Sequence, residues 1–385
     1  MKNVKFITGK LMLPFLALVI CVCLYSCNEK PTDPTPPPPP VVEPDTVSRY
    51  IWTVYYTGLP DISMVYAADT NYVYIVWGPN LLYWDGTFFL PYYFNDPNFY
   101  VTNVYGFGKN VIFVSGWKTK NGQDLPFVKK ITNGVISDIQ LDTVETYIYN
   151  QLIIGPDEAW FSSYLTNAVY HYKNGTVKKY NSYINDSLNT GTFYINANKE
   201  IHLFQRQTYG FQLNRSNKNQ IKKDLIERNS AGEGTLYSFK FENEKFNLLS
   251  SQCYSASDPN CFSILIAQCG NDALMFSHTD KISIFNGYNW VMHSRYDSVN
   301  TSGSRMGGFS KDSLVAFTLN AGYLYTFGGV KWRIENNSPL IYPPSVGHSN
   351  LEAKFGNIYF CYWSVMTGER GLFYVGRPNK KFKNH

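Results

Sequence analysis

Leu81-Leu82-Tyr83-Trp84-Asp85-Gly86-Thr87-Phe88-Phe89 alternates large apolar side chains, breaks at Asp85-Gly86, and resumes with aromatic residues. Period-two alternation on both sides of an Asp-Gly pair predicts a β-hairpin, because these two residues tolerate the left-handed backbone of a tight turn. The phrase returns in degraded form over residues 128–136 around Asn133-Gly134, 169–177 around Asn174-Gly175, and 282–290 around Asn286-Gly287. Weaker copies fall at 324–332 around Gly328-Gly329, at 236–248 around Glu242-Asn243, and at 372–382. A unit that recurs every 41 to 48 residues, apart from one longer gap, points to a radial or linear repeat fold.

Aromatic residues make up 17% of the chain, with little alanine and no long stripe of period 3.6, so the class expected is all-β. Each repeat from residue 51 onward resolves into four short strands. Four-stranded units arranged radially make a β-propeller, whose sheets bury both faces against their neighbours. Seven blades are expected, with six or eight as the alternative counts, because the second, fourth and seventh repeats diverge. Residues 51–56 match the strand that follows the Asp-Gly turn elsewhere, whereas residues 380–383 are poor for that role. The N-terminal strand is therefore expected to complete the last blade. Residues 207–233, rich in Lys, Asn and Arg, interrupt the fourth repeat and read as a surface insertion, with 218–228 its one helical stretch.

The first 26 residues read as a signal peptide: Lys2, Lys5 and Lys10 precede an apolar run over 11–24, shorter than the roughly 20 residues needed to span a bilayer. Leu24-Tyr25-Ser26-Cys27 resembles the bacterial lipobox, which implies acylation of Cys27. Two or three acyl chains hold a protein durably at a membrane. Asn28 follows the cysteine in place of the aspartate that marks inner-membrane retention, so the expected address is the outer membrane, on its periplasmic or cell-surface side. Residues 27–47 hold eight of the 20 prolines and form a stiff polyproline spacer, leaving 48–385 for the propeller. Of 34 basic residues three leave with the signal peptide, and 31 against 29 acidic ones gives no basic surplus that would indicate nucleic acid.

Trp52-Thr-Val-Tyr-Tyr-Thr-Gly-Leu-Pro-Asp61, Val65-Tyr-Ala-Ala-Asp69, Tyr74-Ile-Val-Trp-Gly78 and Leu82-Tyr-Trp-Asp-Gly86 resemble the repeat of the two-component-regulator propellers. The resemblance implies a freestanding extracytoplasmic propeller. Family members that act as sensors join their propeller to a transmembrane helix and a kinase, and neither follows Cys27 here.

No catalytic constellation emerges. His171, His202, His278, His293, His348 and His385 lack metal-ligand spacing, so no metal or other cofactor is expected. Gly106-Phe107-Gly108 lacks a third glycine, and Ser310-Lys311-Asp312-Ser313 departs from the sialidase turn at its glycine. Cys253 and Cys261 bracket a turn-rich loop and form the candidate disulfide; Cys269 and Cys361 read as buried thiols, with a long-range pair as the alternative. Most aromatic side chains must pack between blades. Loop aromatics at Tyr92, Tyr93, Trp117, Tyr209 and Trp363 are the candidate ligand contacts. The expected function is non-catalytic binding of a glycan or an envelope protein, the alternatives being a structural scaffold of an envelope complex and a glycan-processing enzyme.

Overall fold

The computed structural model describes residues 43–44, 48–60, 62–141, 147–164, 168–181, 189–208, 234–254, 265–276, 281–295, 305–317, 324–329, 332–335, 351–364 and 370–380. These residues contain no helix and form a β-propeller of seven four-stranded antiparallel blades. Blade one comprises Ile62–Asp69, Tyr72–Trp77, Asn80–Trp84 and Phe89–Tyr92; blade two comprises Phe99–Phe107, Val111–Lys120, Gln123–Thr132 and Val135–Gln140. Blade three is Tyr147–Gly155, Glu158–Tyr164, Ala168–Lys173 and Thr176–Asn181; blade four is Asn189–Ile195, Ile201–Thr208, Gly234–Glu242 and Lys245–Tyr254. Blade five is Leu265–Cys269, Asp272–Phe276, Lys281–Phe285 and Trp290–Arg295; blade six is Arg305–Ser310, Ser313–Phe317, Leu324–Phe327 and Trp332–Ile334. Blade seven takes Leu351–Lys354, Asn357–Ser364 and Arg370–Pro378 from the C-terminal end. The first strands of successive blades meet around the ring, so the first strand of each blade is innermost.

Closure follows the expectation from the sequence. Tyr50–Tyr56 pairs antiparallel with Arg370–Pro378, in register from Tyr50↔Pro378 to Tyr56↔Leu372, and supplies the outermost strand of blade seven. The indole of Trp52 lies over Gly376, where an added Cβ would come within 2.6 Å of the ring. Glu335, buried at the end of blade six, anchors the entering strand. Its carboxylate accepts hydrogen bonds from the Ser48 hydroxyl, the Thr326 hydroxyl at 2.9 Å and the Arg49 amide at 3.3 Å. One difference concerns the spacer: Glu43–Pro44, expected within it, pairs parallel with blade six through Glu43↔Arg333 and Pro44↔Ile334.

The quoted stretch forms the third strand and the start of the fourth strand of blade one, but its turn is not the two-residue turn expected. Asp85 to Phe88 form a four-residue loop in which the Asp85 carboxylate accepts the amides of Thr87 at 2.9 Å and Phe88 at 2.8 Å. Asn286 does the same for the Tyr288 and Asn289 amides. The two-residue form occurs at Asn133-Gly134 and Asn174-Gly175, where both residues have positive φ. Trp84 is fully buried between blades seven and one, 5.2 Å from Tyr55 and 5.3 Å from Phe373. The tryptophan of the motif is thus a blade-packing residue, as are the aromatics in the seven apolar clusters among the described residues.

Every innermost strand has one edge without a strand partner, and its backbone groups need other bonds. Polar side chains of neighbouring blades supply them. Thr102 Oγ1 donates to Ile148 O at 2.8 Å and Asn103 Nδ2 to Tyr149 O at 3.1 Å. Gln268 is bidentate on Ile195, donating to its carbonyl at 3.2 Å and accepting from its amide at 3.4 Å. At the seam between blades seven and one the equivalent group is ionisable: the Glu352 carboxyl accepts the Ala67 amide.

Candidate binding face on blades two and three

The strand order gives the propeller two unlike faces. Connections from first to second and from third to fourth strands share one face, and are turns of two to five residues. Connections from second to third strands and from blade to blade share the other. That face carries the longest excursions of the chain, between Thr208 and Gly234 and between Ile334 and Leu351. Long connections positioned on a rigid scaffold are where binding residues concentrate.

On this second face the second and third strands of blade two reach 10 residues each, against 6 and 5 in blade one, and meet at Asn121-Gly122. Both turn residues have positive φ, 52° and 75°, so the hairpin closes in two residues. Alternation along the strand gives this hairpin two different walls.

The wall toward blade three is aromatic. Tyr100 is the cross-strand partner of Trp117, and their rings stack at 4.3 Å with an interplanar angle of 18°. Gly116 permits this: a Cβ there would sit 1.8 Å from Tyr100 O, beside the bulge between Val101 and Asn103. Trp117 meets Tyr147 of blade three at 5.4 Å, and Tyr147 stacks on its cross-strand partner Tyr164 at 4.6 Å. A second bulge, between Ile148 and Asn150, re-aims Tyr149 so that its ring lies 5.7 Å from Tyr164. Five rings therefore run across two blades, with Tyr100 47% and Tyr149 43% exposed at the ladder's edges. Burial, followed by the neighbouring Tyr164 phenol, pushes the Tyr147 phenol far up, and burial raises Tyr164. The ladder is thus a run of alternately stacked and tilted rings, whose Tyr147 and Tyr164 hydroxyls stay protonated.

The opposite wall borders an open cleft of about 520 Å³, lined by Asn98, Lys118, Lys120, Asn121, Asp138 and Gln140 among others. An ion-pair chain runs inward from two of its lining residues, Lys118 and Asp138. Lys118 and Lys129 both contact Asp96 Oδ2, at 2.9 and 3.3 Å, and Lys129 also contacts Asp138 Oδ1 at 2.9 Å. The Lys129 side chain is only 4% exposed and lies over the rings of Phe94, Phe99 and Phe127. Burial alone would raise the Asp96 carboxyl, but hydrogen bonds from Lys118 and Lys129 carry it below its ordinary value.

Of the candidate contacts inferred from sequence, Trp117 stands in the ladder. Tyr93 is exposed at 5.9 Å from Trp77, at the edge of blade one. Tyr92, half-buried, rests on Phe94 at 5.7 Å and donates its hydroxyl to Gly134 O at 3.1 Å. Trp363 occupies the second strand of blade seven, in register with Gly371, but its side chain lies outside the described residues. Cys27, Tyr209, Cys261, the Cys253 side chain and residues 209–233 of the insertion also lie outside them. Cys269 and Cys361 are buried free thiols in different blades; burial pushes Cys269 up to about 12 and Cys361 higher. Among the described residues no three His, Cys, Asp or Glu side chains gather as metal ligands. Sequence reasoning missed Tyr100, Tyr147, Tyr149 and Tyr164, whose only signal is a tyrosine near the start of an innermost strand in two consecutive repeats.

No family model and no curated protein matches the chain, so the resemblance to the two-component-regulator propellers rests on the residues of repeat one. Solved structures match over most of its length. Virginiamycin B lyase from Staphylococcus aureus aligns at 10% identity and a TM-score of 0.56, covering 86% of this chain and 100% of that one. YCF48 bound to D1 peptide aligns at 13% identity and 0.55, covering 88% and 100%. YCF48 from Cyanidioschyzon merolae gives 14% and 0.51, covering 84% and 98%. At these identities the likeness is one of fold: the chain is similar to β-propellers.

Proposed function

We propose that this chain is a lipid-anchored, extracytoplasmic β-propeller that binds a glycan without processing it. The observation that carries the reading is the ladder Tyr100–Trp117–Tyr147–Tyr164–Tyr149, presented on the face with the long connections. Flat, uncharged rings with hydroxyl edges match the apolar faces and hydroxyl rims of pyranose rings, and aromatic side chains lose little entropy on binding. A non-catalytic role is supported by the nearby carboxylates: Asp96 is held ionised by two lysines, whereas a general acid for glycosidic cleavage needs its pKa raised. The anchor follows from the lipobox at Cys27 and the proline spacer, with the outer membrane as its address.

A protein-binding scaffold is the second reading, favoured by exposed apolar residues on the outermost strands of adjacent blades: Ile51, Leu90 and Val135. A glycan array probed with the mature protein separates the two, since the glycan reading requires retention of a polysaccharide class by the wild type and its loss in Trp117→Ala. An array on which both proteins give the same signal removes the ladder from the account. Labelled palmitate should enter the wild type and not Cys27→Ala; equal labelling refutes the anchor.

A further inference from the structure

We infer that the cleft beside the blade-two hairpin is a subsite for the carboxylate of an acidic sugar, a hexuronate residue of the bound glycan. The inference rests on the glycan reading above and specifies its ligand. Lys118 and Lys120 are two apart in one strand, and both line the cleft, opposite Trp117. Of the charged side chains lining the cleft, Lys118 is paired with Asp96 behind it, and Asp138, half-exposed, is paired with the buried Lys129. Lys120 is exposed and has no ion pair among the described residues, which leaves the cleft one positive charge in excess. The other carboxylate of the hairpin, Asp124, is the cross-strand partner of Thr119 and accepts its hydroxyl at 2.7 Å.

Lys118 uses Asp96 through one contact while its ammonium has three donors, and its side chain is 31% exposed. A carboxylate seated between Lys118 and Lys120 would gain charge-assisted hydrogen bonds. Asn98 and Asn121 offer both donors and acceptors to ring hydroxyls, and the half-exposed carboxylate of Asp138 accepts them. The cleft volume of about 520 Å³ lies within the roughly 300–1,000 Å³ of small-molecule sites. The aromatic ladder stands on the other side of the same two-stranded hairpin, so one oligosaccharide can touch both walls.

The test uses oligosaccharides of galacturonate, glucuronate and guluronate together with their methyl esters, which keep the chain and remove the charge. Titration calorimetry with the mature protein at low salt should show at least one acid bound about tenfold more tightly than its ester. Lys118→Gln/Lys120→Gln should erase that preference, bringing acid and ester to equal affinity. Lys120→Gln alone, at an exposed position, should lose part of it with no change in melting temperature. Equal affinity for acids and esters, or a preference that survives in the double variant, overturns the inference. Binding of neutral array glycans alone overturns it while the glycan reading stands; absence of binding to every glycan overturns both.

Discussion

Replacing Glu352 by glutamine should remove a pH dependence that the wild-type fold carries at the seam between its first and last blades. Glu352 reaches from the innermost strand of blade seven to the Ala67 amide of blade one. Burial, opposed by the Lys354 ammonium, pushes its carboxyl from 4.5 up to about 7. A carboxyl with a raised folded pKa keeps a proton that the unfolded chain has released. Its contribution is full below about 4.5 and is lost as pH rises through about 7. At about 1.36 kcal/mol per unit the displacement corresponds to about 3 kcal/mol, rounded down because the side chain keeps 17% exposure. Glutamine can accept the same amide, as Gln268 accepts that of Ile195 between blades four and five. Urea unfolding of wild type and Glu352→Gln should therefore give stabilities whose difference shifts by about 3 kcal/mol between acid and mildly alkaline pH, in favour of the variant at high pH. Tyr66, Tyr105 and Tyr359 also face this carboxylate, but burial pushes their phenols up, out of the window. Lys354, lowered by burial, is the remaining charged neighbour, and the double variant with Lys354→Met separates its share. Parallel pH profiles for wild type and Glu352→Gln would refute the placement of this carboxyl in the seam.

Gly376→Ala should cost about 1–3 kcal/mol in the same unfolding assay, because the added methyl displaces the Trp52 indole from the closing strand; an unchanged midpoint would mean that strand does not carry closure. His202 is buried among Tyr194, Phe204 and Phe285, and burial lowers its pKa. The neutral ring is favoured in the fold, so stability is full above about 6.5 and falls as acid drives protonation, a loss that His202→Phe should abolish in acid-unfolding curves. Thr208 and Gly234 are register partners at the end of a hairpin, so replacing residues 209–233 with a two-residue Asn-Gly turn should leave the melting temperature within about 4 °C. A collapse of folding would show that the insertion belongs to the core.

The repeat architecture was legible because every blade but the seventh ends in two sequence-adjacent strands, and hairpins leave local marks: alternating aromatics and Asn-Gly or Asp-Gly pairs. Closure was legible for the same reason, since Tyr50–Tyr56 carries the outer-strand pattern without a preceding turn. The ladder was not. Tyr100 and Trp117 are brought into register by a bulge and by Gly116, and Trp117 touches Tyr147 only because two blades pack side by side. Neither pairing has a sequence period. The partner of Tyr92 was hidden too: a tyrosine beside a loop looks unattached in the sequence, and in the fold Gly134 of the next blade accepts its hydroxyl. The inter-blade bonds of Thr102, Asn103 and Gln268 were equally hidden, because polar residues near the start or end of an innermost strand look like loop residues until the ring is closed.

The most direct test of glycan binding on the aromatic ladder is titration calorimetry of an array-selected oligosaccharide with wild type and with Tyr100→Ala/Tyr149→Ala. These rings are the exposed members of the ladder, so the fold should keep its melting temperature. At about 0.5–1.5 kcal/mol per stacked ring, the double variant should bind at least about fivefold more weakly. Equal affinity of the two proteins, with the fold intact, would contradict the account.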